Sequence, residues 1–129
     1  MLVIDASVVV AALTTTRAAA LVHELLSDEQ TLHAPDLIQL EVAQALRKLL
    51  VSGVIEEEIA RNAFGQFLDL PLTTYPHGAL MRRVWELRHN MTAYDAAYVA
   101  LAEALRAPLY TSDTRLAKSA GHRAKIRVL

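Results

Sequence analysis

Short β-branched apolar runs alternate along this chain with longer segments of helical period, and no linker, repeat or low-complexity stretch interrupts them. Leu2–Ile4 reads as a buried strand ending at Asp5. Ala18–Leu26 places Ala18, Leu21, Val22, Leu25 and Leu26 at helical spacing. Pro35-Asp36 opens a longer helix to about Val51, with Asp36 and Gln39 in capping-box form, and Ser52-Gly53 closes it. Glu56–Leu68 is a third helix with an acidic first turn. Leu72–Tyr75 reads as a strand and His77–His89 as a further helix. Thr92 is placed to cap a helix from Ala93 to about Arg106. Pro108 introduces the strand Leu109–Thr111, a short helix follows Asp113, and Lys125–Leu129 reads as a last strand. Apolar strands alternating with helices predict an α/β fold: a three-layer α/β/α sandwich with a central, mainly parallel sheet.

The 129 residues suit one domain, 1–129, large enough for a real core. A hydrophobic fraction of 53% and a mean hydropathy of +0.25 are high, yet charges break every run before it reaches the length of a bilayer span. Met1–Asp5 has no basic start or cleavage-like region, so a signal peptide is not expected. The absence of cysteine excludes disulfides and thiolate zinc sites and suits a reducing cytoplasm. Net charge is −1, but it is unevenly placed. Residues 1–113 hold 8 Lys and Arg against 14 Asp and Glu, whereas residues 114–129 hold five cations and no acid. Such a basic segment serves either as a solvated tail or, next to an acidic cluster, as a clamp for a phosphate backbone.

Four acids interrupt apolar segments. Asp5 and Asp113 end strands; Glu41 and Asp95 lie within apolar helical runs. Burying a carboxylate is costly unless a cation offsets it. In a parallel α/β fold the site lies outside the carboxyl ends of the strands, where Asp5 and Asp113 would point. Helix starts at the same rim would bring Glu41 and Asp95 to it. A hard, oxygen-seeking ion such as Mg²⁺ is the simplest common partner. Each acid also has a plainer task open to it. Asp5 and Asp113 are placed to cap the segments that follow them, and Thr92 with Asp95 forms a capping-box pattern. Against that, Asp95 shares a stripe with Tyr98, Val99 and Ala102, and Glu41 has Leu37 and Ala45 one turn away on either side. The five histidines lack ligand spacing, Ser7 lacks a nucleophile-elbow setting, and no glycine-rich phosphate loop occurs. Tyr94 and Tyr98 read as core or rim aromatics.

The blocks V-I-D-A-S-V-V-V, L-E-V-A-Q-A-L-R-K, T-A-Y-D-A-A-Y-V-A-L-A-E and A-P-L-Y-T-S-D-T-R-L-A, in this order and spacing, resemble the PIN-domain nucleases. More narrowly they resemble the VapC toxins of VapBC toxin–antitoxin systems. The resemblance spans nearly the whole chain. It departs at Leu13–Arg17, which lacks an acid that many relatives carry there. The resemblance implies a Mg²⁺- or Mn²⁺-dependent endoribonuclease that hydrolyses RNA with a metal-activated water. It makes Asp5, Glu41, Asp95 and Asp113 the catalytic, metal-holding set, with Asp5 and Asp95 the most direct ligands. Ser7, Thr111 and Ser112 would position a water or phosphate oxygen, and Arg115, Lys118 and Arg123 would contact RNA phosphate. It also implies homodimers and inhibition by an antitoxin whose C-terminal segment lies in the active-site groove. The apolar excess fits self-association, with Arg61–Leu68 and Leu80–Leu87 as candidate interface helices, although buried core explains them equally well; the antitoxin would cover more surface around Leu13 and Ala18–Leu26. A PIN nuclease that processes RNA without an antitoxin, and a silent PIN fold that binds protein, are the alternatives.

Overall fold

The computed structural model describes residues 1–27 and 29–129. Among these, the chain forms five strands and seven α-helices. They are β1 (Leu2–Ile4), α1 (Ala6–Thr14), α2 (Thr16–Leu26), β2 (Leu32–Pro35), α3 (Ile38–Val51), α4 (Glu57–Leu68), β3 (Leu72–Tyr75), α5 (Met81–Glu86), α6 (Ala93–Leu105), β4 (Leu109–Thr111), α7 (Thr114–Ala117) and β5 (Ile126–Val128). The strands form one parallel sheet in the order β3-β2-β1-β4-β5. The expected three-layer sandwich is therefore present, and its sheet is parallel throughout. From β1 the chain builds outward through β2 and β3, then returns to the other side of β1 for β4 and β5. The switch point lies between β1 and β4, where an open α/β sheet leaves its crevice.

β1 and β4 are buried along their whole length, as central strands flanked on both sides must be. α6 buries seven consecutive residues, Ala96–Ala102. Four of these are alanine, which lets the helix pack closely while enclosed on nearly all sides. By contrast, α2 buries no residue; its apolar stripe rests half-covered against the core through Val22, Leu25 and Leu26.

The structure departs from the sequence expectations in four places. β2 is a strand that the pattern did not suggest, because Pro35 ends it rather than opening a helix. A nine-residue helix, α1, follows Asp5 directly. The Asp36–Gln39 capping box does not form: α3 begins at Ile38 after Leu37, which has no side-chain cap. His77 Nε2 accepts the Leu37 N–H at 2.9 Å instead, so a residue 40 positions away satisfies that helix start. The helix expected over His77–His89 is shorter, a 3₁₀ turn at Gly78–Leu80 followed by α5.

Gly53, at φ +76°, ends α3 as foreseen. Gly121, at φ +86°, also needs its lack of side chain, since a Cβ there would sit 2.7 Å from Asn90 Oδ1.

Candidate active site

Asp5 leaves the sheet at the end of β1 and caps α1. The residue is 8% exposed, and its carboxylate accepts three hydrogen bonds. Oδ1 accepts the Ser7 hydroxyl at 2.5 Å and the Val8 N–H at 3.1 Å, and Oδ2 accepts the Thr111 hydroxyl at 2.5 Å. Thr111 Oγ1 in turn accepts the Asp113 N–H at 3.0 Å, and Ser7 Oγ accepts the Ser112 N–H at 2.9 Å. These bonds stitch the ends of β1 and β4 together across the switch point. Ser7 and Thr111 thus both donate to the Asp5 carboxylate. Thr111 is fully buried, and both hydroxyls are taken up in holding the Asp5 carboxylate. Ser112 is exposed at the rim.

The other three acids lie within electrostatic reach of Asp5 or of one another. Glu41, near the start of α3, feels the charges of Asp5 and Asp95, and Asp95, in the first turn of α6, feels those of Asp113 and Asp5. Burial, reinforced by these like charges, raises the carboxyl pKa of both Glu41 and Asp95. Three contacts oppose the shifts. The Tyr98 hydroxyl donates to Glu41 Oε1 at 2.6 Å, and the Thr92 side chain and then the nearby Arg115 favour Asp95's charged form. Burial and the Glu41 carboxylate push the Tyr98 phenol far above its ordinary value, so it stays a donor. Tyr98 is the site residue that the sequence hid. It stands one turn after Asp95 on α6, but its bond to Glu41 joins residues 57 apart.

Asp113 behaves as a cap. Its Oδ1 accepts the Arg115 N–H at 2.8 Å at the start of α7. Despite some cost of burial, that bond and the nearby guanidinium hold its carboxyl below the usual value. Thr92 Oγ1 accepts the Asp95 N–H at 3.2 Å, so Thr92 caps α6 as expected and leaves Asp95 on the crevice side.

Of the three cations expected near the site, Arg115 is there, its side chain 90% exposed. Lys118 is exposed at the end of α7. Arg123 is not there. Its N–H donates to Glu103 Oε1 at 2.7 Å, near the far end of α6.

The donor set is all carboxylate oxygen, which suits a hard divalent cation and not zinc in a nitrogen or sulfur cage. Among the described residues no three acidic, histidine or cysteine side chains gather closely enough to enclose an ion.

Residues 2–121 match the family model described as PIN domain. Ribonuclease VapC1 of Mycobacterium tuberculosis is 44% identical over 128 residues, covering 98% of this chain and 96% of that protein. Ribonuclease VapC12 of the same organism is 41% identical, covering 100% and 99%. The crystal structure of VapBC2 from Rickettsia felis, bound to a DNA fragment from its promoter, has a chain with a TM-score of 0.72 at 16% identity. That match covers 99% of this chain and 98% of the other.

Proposed function

The chain belongs to the PIN-domain family, among the VapC ribonucleases, and from that premise we propose that it is a metal-dependent endoribonuclease and the toxin of a toxin–antitoxin pair. The observation that carries this reading is the convergence of four carboxylates at the β1/β4 switch point, with Glu41 and Asp95 pressed toward their neutral forms. A protein does not keep repelling acids in a crevice for stability; a bound cation relieves them. Asp5, Glu41, Asp95 and Asp113 would hold Mg²⁺ or Mn²⁺, Asp5 and Asp95 most directly. Such an ion would lower the pKa of a bound water and offset charge on the phosphate.

The chain's own residues supply the rest. Ser7 and Thr111 keep the Asp5 carboxylate in one orientation. Tyr98 fixes Glu41. Arg115, exposed at the rim and only loosely paired with Asp113 at 3.4 Å, can turn to meet a phosphate oxygen. Single-stranded or looped RNA suits the crevice, because its bases and backbone can be splayed into it. An antitoxin would act by covering this rim, with the half-covered stripe of α2 as a further contact. We also assign the protein to the cytoplasm and to homodimers, the latter through α4 and α5, whose Phe64, Leu68, Met81 and Trp85 are exposed. Among the described residues no single helix is long and apolar enough to cross a membrane.

The test is purified protein with a structured RNA, in Mg²⁺ and in chelator, beside Asp95→Asn. Discrete fragments from wild type in Mg²⁺ alone support the reading. Equal cleavage by folded Asp95→Asn would remove this site from the chemistry.

A further inference from the structure

The basic C-terminal stretch does not gather at the acidic crevice. Arg123 and Lys125 precede β5, Arg127 lies within it, and Arg106 ends α6. Together they wall an open groove of about 730 Å³ at the opposite end of the sheet, floored by Ala102, Ala107 and Pro108. The one acid in its lining is Glu103. That charge is already matched: Arg83 donates to both its oxygens at 2.8 and 3.0 Å, and the Arg123 N–H adds a bond at 2.7 Å. Among the described residues Arg106, Lys125 and Arg127 form no ion pair. A chain of net charge −1 thus concentrates uncompensated positive charge in one concave place.

Electrostatics gives this placement a use. The crevice that performs the proposed cleavage is lined by carboxylates and repels a polyanion, so affinity for RNA has to come from another surface. Three of the four cations are arginines, whose planar forks match phosphate oxygens. The small apolar floor leaves room for a sugar edge between them. From Asp95 to Arg106 along α6 is about 16 Å at the rise of a helix. That distance corresponds to about five phosphates of a stacked strand. One strand, or the stem beneath a loop, can therefore occupy both places at once.

Resting on the ribonuclease reading, we infer that the groove of Arg106, Arg123, Lys125 and Arg127 binds the phosphate backbone of the RNA substrate and anchors it while an unpaired segment enters the acidic crevice. The groove holds the strand by charge and leaves sequence choice to the crevice.

The test is fluorescence anisotropy of a labelled RNA stem–loop with the full chain, in chelator, across a range of KCl concentrations. Wild type is compared with Lys125→Gln/Arg127→Gln and with Arg47→Gln/Lys48→Gln on α3 as a charge-matched control. Arg106→Gly is a second groove variant; it suits the left-handed φ of +52° and so removes the cation without backbone strain. Losing two phosphate contacts lowers the slope of log K against log salt by about 1.4–1.8. Affinity at low salt falls at least about tenfold. The control keeps the wild-type slope. Unchanged slope and affinity in both folded groove variants overturn the proposal. Poly-glutamate displacing RNA from the groove at equal concentration would also overturn it, assigning the groove to an acidic protein. Wild type that binds RNA but never cleaves it would sink the ribonuclease reading and leave the groove standing. Cleavage with groove-independent binding would do the reverse.

Discussion

Asp5 and Asp113 end strands, whereas Glu41 and Asp95 ride on helices, and the protein treats the two pairs differently. The strand-end acids are satisfied: Asp5 accepts three hydrogen bonds, and Asp113 caps α7 with Arg115 beside it. The helix acids are left short. Burial first, and the like charges of their neighbours after it, push Glu41 and Asp95 toward protonation, against the bond that the Tyr98 hydroxyl gives Glu41. A site can thus be rigid and receptive together. One pair sets the frame across the β1/β4 switch point, and the other carries an electrostatic demand that a cation would offset.

Several measurements would break or sharpen that contrast. The largest effect belongs to Asp95→Asn. RNA cleavage should fall more than about 100-fold with the melting temperature unchanged or raised, because a repelled charge is removed. Tyr98→Phe is next, at about 10–100-fold in activity, since it frees Glu41 without touching a carboxylate. A Tyr98→Phe variant with wild-type rates would show that Glu41 needs no fixing. Stability should separate the pairs in the other direction. Asp5→Ala forfeits the α1 cap and strands two hydroxyls, costing about 1–3 kcal/mol by denaturant unfolding, whereas Asp95→Ala costs less. Equal losses would erase the distinction.

The pH response follows from the raised pKa values of Glu41 and Asp95. Between the unfolded and folded values the folded protein binds more protons, so stability falls as pH rises through that window and the cost is fully present above it. Mg²⁺ should therefore raise the melting temperature more at neutral pH than near pH 4. An equal rise at both would detach metal binding from these two carboxyls. The smallest effect is expected of Arg115→Ala. Its exposed pair with Asp113 at 3.4 Å contributes little to folding, and a few-fold rise in KM for RNA is the outcome to seek.

The elements that the sequence made legible were those with strong local signals. β1, β3, β4 and β5 are apolar and β-branched, and α4 and α6 carry acidic or threonine starts. β2 was not legible. His33 and Pro35 disguise it, and it exists because β1 and β3 pair with it on both sides, with the His33 ring set between Thr31 and Tyr75 at 2.7 Å each. The start of α3 carries no local signal either, because the group satisfying it, His77, arrives from a distant segment.

The same division holds for chemistry. By itself the sequence marked four carboxylates as out of place, because an acid inside an apolar run is costly wherever the run folds. It also determined that positive charge collects in the last sixteen residues. Only the tertiary structure decided which hydroxyls hold Asp5 and which phenol holds Glu41, since those bonds join residues 106 and 57 apart. It also split the basic segment, leaving Arg115 beside the acids and carrying Arg123, Lys125 and Arg127 to the other end of the sheet. Charge is written residue by residue, but the potential it creates depends on where the strands and helices deliver it.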